Sequence, residues 1–209
     1  MRRPLLHTVP LLLLLSLAAP AQARRYPITT SDASGTWVGG PEGLLHGQGE
    51  LWTRYSKGKG LNANQVNDIE LSSRSVWVAT PAGLSRLDKG TRRWETFTTP
   101  DLPVNHVTGI SMDTSDPDQL WVSTLGGGLV NYDARKNRWT RHGKAQGLPS
   151  DQVNDVLFRG RTVFAATDAG LAALDLTNST FKVYTARDGM APGAVLELDA
   201  GLRGDRAVL

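Results

Sequence analysis

The 209-residue chain contains no cysteine. That excludes disulfides, thiolate nucleophiles, cysteine-ligated metals and a cysteine-linked lipid anchor, so packing alone must stabilise the fold. Charge of one sign is also lacking. The 23 Lys and Arg face 20 Asp and Glu, and Arg2 and Arg3 sit in a start that carries no acid. Without that start the balance is 21 against 20, a net of +1. No basic stripe is present of the kind that grips phosphates, so nucleic acid is not an expected partner. No window carries a 3.6-residue apolar stripe, so helices should be few. G-x-S-x-G and H-E-x-x-H are both missing. No catalytic residue, cofactor or metal site is expected, and the chain is not read as an enzyme.

The one long apolar run lies at the N-terminus. "MRRPLLH" is followed by "TVPLLLLLSLAAPAQA", the basic, apolar, small-residue order of a secretory signal peptide. Ala21-Gln22-Ala23 fits the cleavage rule, so residues 1–23 form the leader and the cut is expected after Ala23. Val9–Ala19 is too short to span roughly 30 Å of hydrocarbon. No membrane span is expected in the mature chain, which should reach the periplasm or the outside of the cell. Residues 24–35 are read as a short linker.

What the chain does have is repetition. "TWVGGPEGL", "VWVATPAGL", "LWVSTLGGGL" and "VFAATDAGL" are one motif written four times. Their aromatic residues, Trp37, Trp77, Trp121 and Phe164, are 40, 44 and 43 residues apart. Trp52, Trp94, Trp139 and Phe181 keep the same beat, and so do Val66, Val107, Val153 and Val195. Three markers on one period define a repeat protein.

Each repeat reads as four short strands. "QVNDIEL" and "QVNDVLF" alternate apolar and polar residues, the period of a strand. "VWVAT" is rich in β-branched and aromatic residues, and a Gly for a tight turn follows it. "GLSRLD" and "GLVNYD" form a third strand that ends in Asp, a residue that starts turns with its own side chain. "RWETFT", "RWTRHG" and "FKVYT" form the fourth. Four strands in about 42 residues make a blade, so the expected fold is an all-β propeller of about four blades.

The repeats run over about 36–65, 66–106, 107–152 and 153–194. The first is expected to lack its inner strand, and 195–209 to be a closing or incomplete blade. A ring that closes on itself and part of a larger propeller both remain open. The repeated Trp, Gly and Leu are read as core, with the aromatic ring between neighbouring blades, where it can bury 150–250 Å².

The linkers "KGKGLNANQV", "TPDLPVNHV", "KAQGLPSDQV" and "ARDGMAPGAV", together with "WVATPAGL", resemble the two-component regulator propeller repeats of bacteria. The resemblance covers almost everything from Thr36 to Val195. It implies an exported sensory propeller, and the family's propellers are typically larger and belong to hybrid sensor kinases. The 209 residues hold four such repeats.

Most of the chemistry-bearing residues have structural counterparts in the sister repeats. Gly126-Gly127-Gly128 replaces "TPAG" and is read as a hairpin turn. "DTSDPD" (Asp113–Asp118) lacks the Gly and distal Glu of a calcium loop. His142 takes the place of Tyr55 and Phe97 and is a packing residue. His106 matches Gln65 and Gln152, and His46 lies opposite Arg86 of the next repeat. Asp68 and Asp155 are expected to line the channel, and they are the carboxylates that a glycan hydrolase or lyase would have to pair.

Asn64, Asn105 and Asp151, with Thr80, Thr124 and Thr167, are expected to ring the channel mouth. Such short hydrogen-bonding groups would suit a polar, neutral ligand such as a glycan or peptide. The expected function is a ligand-binding, sensory or protein-interaction module. A glycan-active enzyme and a structural scaffold, or fragment of a larger sensor propeller, stand as alternatives.

Overall fold

Gly43, Gly83, Gly128 and Gly170 turn the chain back after each repeated motif, with φ between 82° and 130°. Side chains rarely adopt that conformation. A Cβ here would also lie 2.4–3.3 Å from the carbonyl oxygen of the residue across the next strand. The Gly-Leu step is therefore a hairpin that only glycine can make.

The computed structural model describes residues 28–113, 116–190, 193–199, 201–203 and 206–208. The expected leader, residues 1–23, and its expected cleavage site lie outside them. Hairpin after hairpin, the chain builds four antiparallel meanders. The first joins β1 (Ile28–Asp32), β2 (Gly35–Gly40), β3 (Gly43–Gln48) and β4 (Leu51–Lys57), with a short parallel β5 (Gly60–Leu61) at its edge. The second joins β6 (Asp68–Leu71), β7 (Ser75–Thr80), β8 (Gly83–Asp88) and β9 (Trp94–Phe97). The third joins β10 (Val107–Asp113), β11 (Asp116–Thr124), β12 (Gly128–Asp133) and β13 (Arg138–His142). The fourth joins β14 (Val153–Arg159), β15 (Thr162–Thr167), β16 (Gly170–Asp175) and β17 (Thr180–Tyr184). These are four blades of a β-propeller. A separate hairpin, β18 (Gly201–Arg203) with β19 (Arg206–Val208), follows. Among the described residues, helix is confined to two 3-10 turns, Lys144–Gln146 and Ala186–Asp188.

One expectation is corrected. Residues 28–32 lie within the stretch read as linker, yet they form β1, paired with β2 from Ile28↔Gly39 to Asp32↔Gly35. The first blade therefore has its inner strand. The sequence leaves it unmarked, because "ITTSD" carries neither the Val at the head of the other inner strands nor the Asn-Asp that two of them share. Register on β2, which comes from tertiary pairing, is what places it.

The core lies between blades. Trp37 packs with Leu61 and with Val66, Val76 and Val78 of the second blade. Trp77 packs with Leu102 and with Val107, Leu120 and Val122 of the third, and Trp121 with Leu148 and with Val153, Val163 and Ala165 of the fourth. These indoles are 1%, 3% and 4% exposed. Phe164, on the last blade, is only partly buried.

Strand-end aspartates act as read. Asp88, Asp133 and Asp175 accept the N–H of Thr91, Lys136 and Thr177 at 2.7, 3.2 and 2.7 Å. The Thr91 and Thr177 amides hold the carboxyls of Asp88 and Asp175 below their ordinary range.

Candidate functional site: the inner-strand cavity

The inner strand of each blade pairs along one edge only, so the backbone groups on its other edge need acceptors and donors from elsewhere. The neighbouring blade provides them. Asn67 donates its amide to the carbonyl of Val107 at 2.6 Å, Thr108 its hydroxyl to that of Val153 at 2.7 Å, and Asn154 its amide to that of Val195 at 2.8 Å. Each residue follows the repeated Val and reaches the Val of the next repeat.

A second set runs the opposite way. Asp68 accepts the N–H of its own neighbour Ile69 at 2.8 Å and, across the gap, that of Ile110 at 2.8 Å. Asp155 does the same with Val156 at 2.9 Å and Leu198 at 2.9 Å. Glu70 accepts from the backbone of Met112, and the Ser111 hydroxyl accepts from Phe158 N–H at 2.8 Å. Between the two aspartates the third blade carries Gly109. A Cβ there would lie 2.6 Å from Asp155 Oδ1, so the absent side chain is what admits the carboxylate.

In front of these strands lies a cavity of about 470 Å³. Its lining includes Ile28 from the first blade, Asp68 and Glu70 from the second, Ser111 from the third, Asp155 from the fourth, and Glu197. Acidic groups from several strands thus share one concavity. Burial, aided by the charge of Asp68, pushes the Glu70 carboxyl up to about 7 against the opposing Met112 amide. Glu70 is therefore a group that exchanges a proton near neutrality. Among the described residues no cluster of three or more His, Asp and Glu could hold a metal ion.

Of the eight residues expected at the channel, only Asp68 and Asp155 line this cavity. The expected ring of mouth groups is corrected in part. Thr80, Thr124 and Thr167 are fully buried. Their hydroxyls donate to the carbonyls of Gly83, Gly128 and Gly170 at 2.8, 2.8 and 2.7 Å. They lock their hairpins and offer nothing to a ligand, because a hydroxyl at a strand end meets its own turn first. Asn64, Asn105 and Asp151 are not fully buried. Each turns one side-chain oxygen inward, to the N–H of Lys57, Thr99 and Lys144 at 2.9, 2.8 and 3.0 Å, and Arg141 pairs with Asp151 at 3.0 Å.

Glu70, Ser111 and Glu197 were missed. The recurrence of "QVND" at Gln65–Asp68 and Gln152–Asp155 was the available signal for Asn67 and Asn154. Nothing in the sequence marked Ser111. The other motifs fall into structural roles. Asp116 and Asp118 pair with Arg135 at 2.6 and 3.1 Å, and Asp118 also with Arg74 at 2.5 Å. Gly126 and Gly128 donate to the carbonyl of Asp151 in their turn. His46 stacks on Trp37 with ring centres 3.8 Å apart. His142 packs between Trp121 and Phe181, and burial lowers its pKa.

Neither a protein-family model nor a curated protein matches the chain. Solved structures do match. The extracellular domain of a hybrid two component system of B. thetaiotaomicron aligns at TM-score 0.67 and 24% identity, over 76% of this chain and 24% of its own. A second such domain from the same organism aligns at 0.62 and 20%, over 79% and 22%. An ancestral GH74 enzyme aligns at 0.60 and 14%, over 79% and 25%. The chain thus spans about a quarter of the length of these structures, and shares their fold. The first two are extracellular domains of two component systems, the kind of protein that the resemblance of the repeats implies. No helix among the described residues is long and apolar enough to cross a membrane.

Proposed function

We propose that the chain is an exported sensory module of the two-component regulator type, which takes a polar, neutral ligand such as a sugar or peptide in the inner-strand cavity. The observation that carries this reading is the convergence of the four inner strands on one concavity of about 470 Å³. Its polar groups accept hydrogen bonds, so a ligand rich in hydroxyl or amide donors fits them. Export rests on the leader, and a sensory role on the resemblance of the repeats.

Catalysis is the less favoured reading. A hydrolase needs two carboxylates free to meet one substrate, whereas Asp68 and Asp155 each accept two backbone N–H groups. A panel of oligosaccharides and short peptides titrated calorimetrically tests the proposal. We expect a one-to-one complex that Glu197→Lys weakens by about tenfold, or 1.4 kcal/mol. No binder in the panel, or binding indifferent to that substitution, would overturn it.

A further inference from the structure

Two cavities meet at one side chain. The first is the inner-strand cavity of about 470 Å³. The second, of about 880 Å³, lies at the end of the blades opposite the Gly-Leu hairpins, among the turns that join β1 to β2, β6 to β7 and β10 to β11. Among the described residues that line them, Glu70 alone borders both.

Register puts it there. On β6 Glu70 is paired with Trp77 of β7, so its side chain shares a face with that ring and turns toward the third blade. At the seam it accepts from the Met112 amide, and Asp68, two residues back on the same strand, faces the same way.

The charges around it are almost all of one sign. Asp155 of β14 and Glu197 stand with Asp68 around the first cavity. Asp32 and Asp113 border the second, with Lys89 its one base among the described residues. Lys89 is already engaged, since it pairs with Asp32 and donates to the carbonyl of Ser72. Arg86, the next base along the same row of the second sheet, lies over the Trp77 ring and pairs with Glu95 at 2.6 Å. Burial first, and the charge of Asp68 second, thus raise the Glu70 carboxyl to about 7. A neutral ligand in the first cavity would take water away from this carboxyl and bring no positive charge, so the ionised form becomes costlier still. The protonated form, by contrast, has an O–H to donate to the ligand.

We propose that the inner-strand cavity takes up its ligand together with a proton on Glu70, which makes the module a joint sensor of ligand and acidity. This rests on the ligand reading of that cavity and adds how its occupancy is regulated. The sign follows from linkage, because a group that holds its proton more tightly in the complex favours the complex at low pH. A roughly tenfold tighter hold on the proton gives about fivefold tighter ligand binding at pH 6 than at pH 8.

The test uses the full chain with the oligosaccharides and short peptides of the panel above. Calorimetry in phosphate and in Tris, whose ionisation enthalpies differ, should show uptake of about 0.4 proton per ligand at pH 7. Affinity should rise about fivefold from pH 8 to pH 6, and Glu70→Gln should abolish both effects. The comparison of buffers needs no variant, so it stands even if Glu70→Gln fails to fold. Proton release, binding indifferent to pH, or uptake that survives in E70Q would each overturn the proposal and leave the cavity as the ligand site. If no member of the panel binds at either pH, the ligand reading falls and the proposal falls with it.

Discussion

Thr80 and Asp68 belong to the same blade, and each ties its side chain to backbone. Thr80 reaches three residues along the chain, to Gly83; Asp68 reaches 42 residues, to Ile110 of the next blade. The threonine stabilises a turn that would form in the same place without it. The aspartate stabilises the seam between two sheets and also borders the cavity. Local ties of this kind shape a blade, and long-range ties set how blades stand to one another, and so the geometry of the candidate site.

Three substitutions would break or sharpen that contrast. The largest effect is expected for Asp155→Ala. It leaves the N–H groups of Val156 and Leu198 without their acceptor in a site where Asp155 is 8% exposed, at a cost of about 3 kcal/mol. Chemical denaturation measures it, and hydrogen exchange should show 194–199 released first. A loss spread evenly over all four blades would mean that the seam is not a separate unit of stability.

Next comes pH. The Glu70 carboxyl is raised to about 7 in the folded chain, from an ordinary 4.5. The folded state therefore holds the proton more tightly than the unfolded one. Its stabilising contribution is full below about 4.5 and is lost as pH rises through about 7. The loss between pH 5 and 8 should be about 2 kcal/mol. Contributions of other groups cancel in the difference between wild type and Glu70→Gln, so that difference is the quantity to read in denaturation at both pH values. Equal slopes would place Glu70 in water rather than against Met112.

The smallest effect is expected for Thr80→Val. It keeps the shape but removes the hydroxyl that donates to the Gly83 carbonyl and accepts from Ala82 N–H at 3.2 Å. About 1 kcal/mol should be lost, with the seam to the third blade unchanged in exchange. A loss as large as that of Asp155→Ala would erase the distinction between local and inter-blade ties.

The same distinction explains what could be read in advance. Strand count, hairpin glycines and turn-starting aspartates are set by neighbours a few residues away, so Gly83 and Asp88 announced their roles. The stacked core was legible because Trp37, Trp77 and Trp121 recur on one period. The first inner strand was not, since Ile28–Asp32 has no local mark and only pairing with Gly35–Gly39 places it. The mouth threonines misled for a related reason. A hydroxyl beside a loop looks available until the turn brings the carbonyl of Gly83, Gly128 or Gly170 within 2.8 Å.

Period, strand order and the residues that face other blades thus follow from the order of amino acids, because each depends on spacing within about one repeat. Which carboxylate meets which amide does not. Asp68 with Ile110, Asp155 with Leu198, and the gathering of Glu70, Ser111 and Glu197 around one cavity join residues of different blades. Only the stacking of finished blades brings such groups within hydrogen-bond reach.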